Sequence, residues 1–177
     1  MQKKAITIAV SLLCLVVTVA AQQEDKSKRP SPPAKAEVAL KGKTITIDYS
    51  RPFAKGRKII GGIVPFNQVW RTGANEATAF TTPIDLMVGD AKVPAGSYTL
   101  YSLPSENGWK LIINKQTGQW GTDYDQKQDL ARVDMQVTKT GQPVEQFTIS
   151  FEKKGEEAAT LVMQWENTSA SVGVKAQ

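Results

Sequence analysis

From Glu37 to Val174 the chain is cut into short runs rich in Val, Ile, Thr, Tyr and Phe, divided by Gly, Pro, Asn and Asp. Punctuation of this kind at spacings of about ten residues leaves no room for long helices, and β-branched and aromatic residues suit a pleated, half-buried surface. In Thr44 to Ser50, Ile45, Ile47 and Tyr49 alternate with Thr44, Thr46 and Asp48, so one face is apolar and the other polar. Further strands are expected at Ser97 to Leu103, Trp109 to Asn114, Arg132 to Thr138, Val144 to Glu152, Thr160 to Glu166 and Ser171 to Val174. Ile84 to Val88 and Ala91 to Val93 flank Gly89-Asp90, a two-residue hairpin signal. A helical turn is expected only near Asp125 to Ala131. About nine antiparallel strands predict an all-β fold, a β-sandwich in the first place and a barrel in the second. Period 2 sends Ile45, Ile47, Tyr49, Leu111, Ile113, Phe147, Ile149, Phe151, Leu161 and Met163 inward.

The N-terminus has a different character. Lys3 and Lys4 precede an uncharged apolar run from Ala5 to Val19, and Ala20-Ala21 supplies small residues before Gln22. This predicts a cleavable export signal over residues 1–21, because the run is shorter than the roughly 20 residues a membrane-spanning helix needs. Cys14 lies inside it after Leu13, where lipoprotein processing wants a small residue. Residues 22–36, with Pro30, Pro32 and Pro33, read as a flexible Pro-rich tether, and residues 37–177 as one β-domain. The expected location is secreted or periplasmic, with no transmembrane anchor after cleavage.

The chain contains no histidine, and its one cysteine is Cys14. Ser-His-Asp and Cys-His nucleophiles and imidazole or thiolate metal sites are therefore excluded from the β-domain. The net charge of +5 falls to +3 without Lys3 and Lys4, and the remaining basic residues are dispersed, which argues against a nucleic-acid partner. Asp123, Asp125 and Asp129 fail as an EF-hand loop, since Lys127 would fall on a ligand position and Gln128 where glycine is required. No cofactor or metal is expected. Gly56 to Gly62 likewise fails as a phosphate loop, with Gly62 where the lysine belongs.

Five separated motifs stand out: Tyr49-Ser50-Arg51-Pro52, Lys55-Gly56-Arg57, Trp70-Arg71-Thr72-Gly73-Ala74-Asn75-Glu76-Ala77-Thr78, Pro94-Ala95-Gly96-Ser97-Tyr98 and Gln119-Trp120-Gly121. Together, and in this order, they resemble the secreted bacterial family of domain of unknown function 2911 (DUF2911). The resemblance implies an exported bacterial domain and supplies no catalytic residues.

Candidate site residues therefore come from side-chain chemistry. Arg71 offers paired donors to a carboxylate or phosphate, and Asn75, Glu76 and Thr78 can read hydroxyls or amides beside a backbone opened by Gly73. Arg51, Arg57 and Trp70 join this group, with Trp120 as the aromatic expected to be exposed between Gly118 and Gly121. An internal Arg71–Glu76 ion pair that orders the loop is the competing structural reading. The expectation is a non-enzymatic binder of a small polar or anionic ligand or a glycan in the cell envelope. The alternatives are a carboxylate-based hydrolase, with Glu76 and either Asp48 or Asp129 as acid and base, and a protein-interaction module.

Overall fold

The computed structural model describes residues 25–177, so the expected signal over residues 1–21 lies outside the described residues. Nine strands form the fold: β1 (Pro33–Leu40), β2 (Lys43–Ser50), β3 (Thr78–Thr82), β4 (Leu86–Val88), β5 (Ala91–Val93), β6 (Gly96–Ser105), β7 (Gly108–Asn114), β8 (Asp129–Lys153) and β9 (Ala158–Ala176). Short 3-10 turns occur at Lys26–Lys28 and Gln126–Gln128, the second within the stretch where a helical turn is expected.

Every strand pairing is antiparallel, in the order β1-β2-β3-β6-β7-β8-β9-β4-β5. β8 makes the layered shape. Its first part, Asp129 to Met135, pairs with β7, and the stretch from Gln136 to Lys153 pairs with β9. The ribbon thus folds back over itself. Tyr49 on β2 meets Phe147 on β8 edge-on, with ring centroids 5.9 Å apart, and its hydroxyl both donates to the Ile149 carbonyl (3.3 Å) and accepts from the Ile149 N–H (2.9 Å). β1 and β5 remain as edges, so the ladder is open and the barrel is not realised. An isolated bridge, Phe53 to Gln146, flanked by backbone bonds from Phe147 to Pro52 and from Ala54 to Glu145, ties the segment after β2 to β8.

Strand alternation fills the space between the layers. Ile45, Ile47, Tyr49, Leu111, Ile113, Phe147, Ile149, Leu161 and Met163 are buried in one apolar cluster, and the partly buried Phe151 packs against it. The Gly89-Asp90 hairpin forms with Val88 opposite Ala91, the register of a two-residue turn.

The ladder differs from expectation in four places, one of them β9, which joins the two strands expected at Thr160 to Glu166 and Ser171 to Val174. The ladder begins at Pro33, inside the segment read as a tether, because Ala36, Val38 and Leu40 alternate inward opposite β2. β3 lies at the end of the Trp70 motif, where Thr78, Phe80 and Thr82 point inward. Gly141 to Pro143 does not end a strand: β8 runs through it as an irregularity between Lys139 and Val144. A proline without an N–H is tolerated where the ladder is already interrupted.

Candidate functional site

At the centre of β6 the outer face is as buried as the inner one. Thr99 and Tyr101 point away from the main core and are covered by the loop between β7 and β8. Gln119 in this loop donates its amide nitrogen to Thr99 Oγ1 and to the Tyr101 hydroxyl, each at 3.1 Å, and Tyr124 meets Tyr101 edge-on with centroids 4.8 Å apart. Beside it runs the segment from Arg51 to Ala77. Trp70 occupies the sheet position that β3 leaves free, exchanging backbone hydrogen bonds with Ser102 at 2.8 and 3.0 Å.

Between these two segments lies a cleft of about 460 Å³ lined by Ile63, Val69, Trp70, Arg71, Tyr101, Gly121, Thr122 and Tyr124. Its aromatic walls are fixed from behind. The Trp70 ring stacks on Trp165 at 5.7 Å and meets Phe147 edge-on at 5.0 Å. The Tyr101 hydroxyl donates to the Asp123 carbonyl, and the Tyr124 hydroxyl to Asp129 at 2.7 Å. Burial and the Asp129 carboxylate push the Tyr124 phenol up to about 12. Arg71 differs from all of these. Among the described residues its guanidinium has no hydrogen bond or ion pair, although the side chain is only partly exposed. Its stem rests on Gly121, where a Cβ would come within 2.8 Å of both Arg71 Cδ and the Asn75 carbonyl oxygen.

The backbone beneath this cleft is unusual. Thr72 and Asn75 both have positive φ, 51° and 61°. For a β-branched residue that is strained, and Thr72 is held there by Oγ1 contacts to Ser102 Oγ (2.8 Å) and to the Trp70 carbonyl (3.3 Å). Gly73, at φ 151°, approaches the Ser50 carbonyl and Thr78 Oγ1 so closely that a Cβ would sit 3.0 Å from each.

The expected site residues do not converge as one group. Arg51 is committed internally, donating to the Phe147 carbonyl (2.9 Å) and Thr148 Oγ1 (2.6 Å). Arg57 closes its own turn on the Ala54 and Phe53 carbonyls at 2.9 and 2.6 Å. Thr78 is buried and donates to the Thr72 carbonyl at 2.7 Å. Asn75 donates to the Ser31 carbonyl at 3.1 Å. Trp120 is 46% exposed, as its position between two glycines led us to expect, and forms a backbone bridge with Glu76.

Glu76 does not pair with Arg71. It accepts from Lys26 Nζ at 2.7 Å and from Arg29 Nη1 at 3.0 and 2.9 Å, both on the chain ahead of β1. The Lys26 bond, aided by a backbone N–H and by Arg29, holds its carboxyl down at about 2. A carboxyl so firmly ionised makes a poor general acid. The other carboxylates named for hydrolysis are also engaged: Asp48 with Lys35 at 2.9 Å, and Asp129 with Asn114 (2.9 Å), Tyr124 (2.7 Å) and Arg132 (2.8 Å). These partners lie from 3 to 50 residues away, so only those within one turn carry a local sequence signal.

Tyr101 and Tyr124 are cleft residues that none of the five motifs contains. The Gln119-Trp120-Gly121 motif already marked the loop, but which wall it would build depends on the β6 outer face. Neither a curated protein nor a solved structure shows significant similarity to the chain. A family model described as protein of unknown function (DUF2911) matches residues 31–174, and the chain therefore belongs to that family.

Proposed function

We propose that this is an exported, non-enzymatic binding domain whose site is the Arg71 cleft, and that it takes a small anion carrying a flat ring. The observation that carries this reading is the Arg71 guanidinium, without a partner among the described residues, in a cleft whose walls are Trp70, Tyr101 and Tyr124. A guanidinium without a carboxylate partner leaves its forked donors for a carboxylate or phosphate, and rigid aromatic walls favour a planar body beside the anion. Strain at Thr72 and the packing of Gly121 against the arginine stem support the reading, because both fix the loop before any ligand arrives. Export rests on the apolar N-terminal run of residues 5–19.

The experiment is a thermal-shift and calorimetric comparison of benzoate, a hexuronate and inorganic phosphate on the wild type and on Arg71→Ala. Benzoate is expected to bind the wild type more tightly than the puckered hexuronate or phosphate and to lose at least tenfold in affinity in Arg71→Ala, which should melt close to the wild type. Binding that survives the substitution, or the failure of all three anions to bind, would overturn the reading.

A further inference from the structure

A second cleft, of about 280 Å³, opens on the other side of the Gln119 loop. Its floor is Ala77 with the cross-strand pair Asp48 and Ala79, one wall is Gly118 and Gln119, and the opposite wall is the strap of chain ahead of β1, with Lys26, Arg29 and Pro33. The Glu76 carboxylate also lines it.

Three features of this cleft point to one class of guest. Glu76 is 40% exposed, and its Lys26 partner is an ammonium on a four-carbon stem, 54% exposed and brought from 50 residues away. Exposed ion pairs of this kind contribute little net stability, so Lys26 is a displaceable occupant. The strap is anchored at its C-terminal end, where the Arg51 N–H donates to the Pro32 carbonyl at 2.9 Å and Asn75 to the Ser31 carbonyl at 3.1 Å, and that anchorage does not depend on Lys26. Gln119, with its amide nitrogen committed to Thr99 and Tyr101, leaves its carbonyl oxygen buried with no donor among the described residues. A buried acceptor without a partner is unfavourable, and a guest rich in N–H donors would relieve it.

We propose that this cleft is a binding site for small alkylammonium ligands, with Glu76 as counter-ion, Ala77, Ala79 and Pro33 as the apolar surface, and Lys26 as a built-in competitor that the ligand displaces. The carboxylate neutralises the ammonium, the short apolar surface accepts a chain of a few methylenes, and the Gln119 carbonyl offers a second acceptor. Arg29 stays on Glu76 and keeps the strap in place during the exchange. This site is independent of the Arg71 cleft: it carries the carboxylates that cleft lacks, and none of its lining residues is shared.

The test is titration of the full chain with butylammonium, followed by calorimetry and by backbone amide shifts, with uncharged butanol as the comparison. Wild type should bind weakly, with shifts centred on Ala77, Ala79 and Gln119. Lys26→Ala removes the competitor and should tighten binding by roughly tenfold, as expected when the competent state no longer has to be uncovered. Glu76→Gln should abolish binding while keeping the melting transition of a folded domain, and butanol should not bind. The proposal is overturned if Lys26→Ala binds no more tightly than wild type, if Glu76→Gln retains affinity, if butanol competes equally, or if butylammonium binds none of the proteins.

Discussion

Arg71 and Glu76 stand five residues apart in one loop and make no ion pair with each other: Glu76 is held by Lys26 and Arg29, and Arg71 rests on Gly121. Residues without a shared partner should act additively. Arg71→Ala and Glu76→Ala are expected to show a coupling energy within about 0.5 kcal/mol of zero in a urea-unfolding double-mutant cycle. Glu76→Ala alone should cost no more than about 1 kcal/mol, since the side chain is 40% exposed and solvent screens the pair. A coupling above about 1 kcal/mol would show that the two side chains meet in solution.

The strap contact has a defined pH window. Glu76 lies at about 2 in the folded chain against an ordinary 4.5, so its contribution is fully present above pH 4.5 and is lost as pH falls through about 2. Proton exchange or fluorescence from a label at Ser27 should report release of the strap only in that acid range. Release already at pH 5 would contradict the assignment.

Tyr124 behaves in the opposite sense. Its phenol is raised from 10 to about 12 by burial and by Asp129, so its contribution is present below pH 10 and is lost as pH rises through about 12. Asp129→Asn should bring the Tyr124 titration down toward 10 in an ultraviolet absorbance titration. It should also cost on the order of 1–3 kcal/mol, because the Arg132 guanidinium loses its charged partner.

Tyr49→Phe removes both hydrogen bonds to Ile149 and leaves a buried N–H without a partner. A loss of about 1–3 kcal/mol in denaturant unfolding is expected, with the secondary structure unchanged by circular dichroism. A change below about 0.5 kcal/mol would mean that water replaces the phenol.

Gly121→Ala places a methyl group 2.8 Å from Arg71 Cδ and from the Asn75 carbonyl. The arginine stem can swing aside but the carbonyl cannot, so a cost of about 1–3 kcal/mol is expected, together with weaker binding of any anion that Arg71 holds. Unaltered stability and anion affinity would remove Gly121 from the site.

The strands that alternate cleanly were legible: Ile45, Ile47 and Tyr49 face inward, and Gly89-Asp90 turns the hairpin. β1 was obscured because three nearby prolines dominate its composition and Ala34, Ala36 and Ala39 carry little hydrophobic signal. β3 was hidden inside a motif whose charged and amide residues drew attention to chemistry. At the site, Arg51, Arg57 and Arg71 look the same in sequence, and of these three only Arg71 has no hydrogen bond or ion pair from its guanidinium among the described residues. The guanidiniums of Arg51 and Arg57 are committed to backbone carbonyls, and carbonyl positions follow from the fold alone. The partners of Glu76 were hidden for a related reason: Lys26 and Arg29 reach it across 50 and 47 residues, in place of the Arg71 pairing that its position in the loop suggests.

β8 serves both layers with one unbroken backbone, and this bears on how the domain comes apart. The first seven residues of the strand are laced to β7, and the rest to β9, so neither layer has an independent boundary at which to open. Amide exchange on β7 and on β9 should therefore converge on a single opening free energy, with no layer exchanging ahead of the other. The bonds between the Tyr49 hydroxyl on β2 and the Ile149 backbone on β8, 100 residues away, add distant contacts to that same unit. Such a topology folds in milliseconds to seconds, and it completes both clefts in the same step that completes the core.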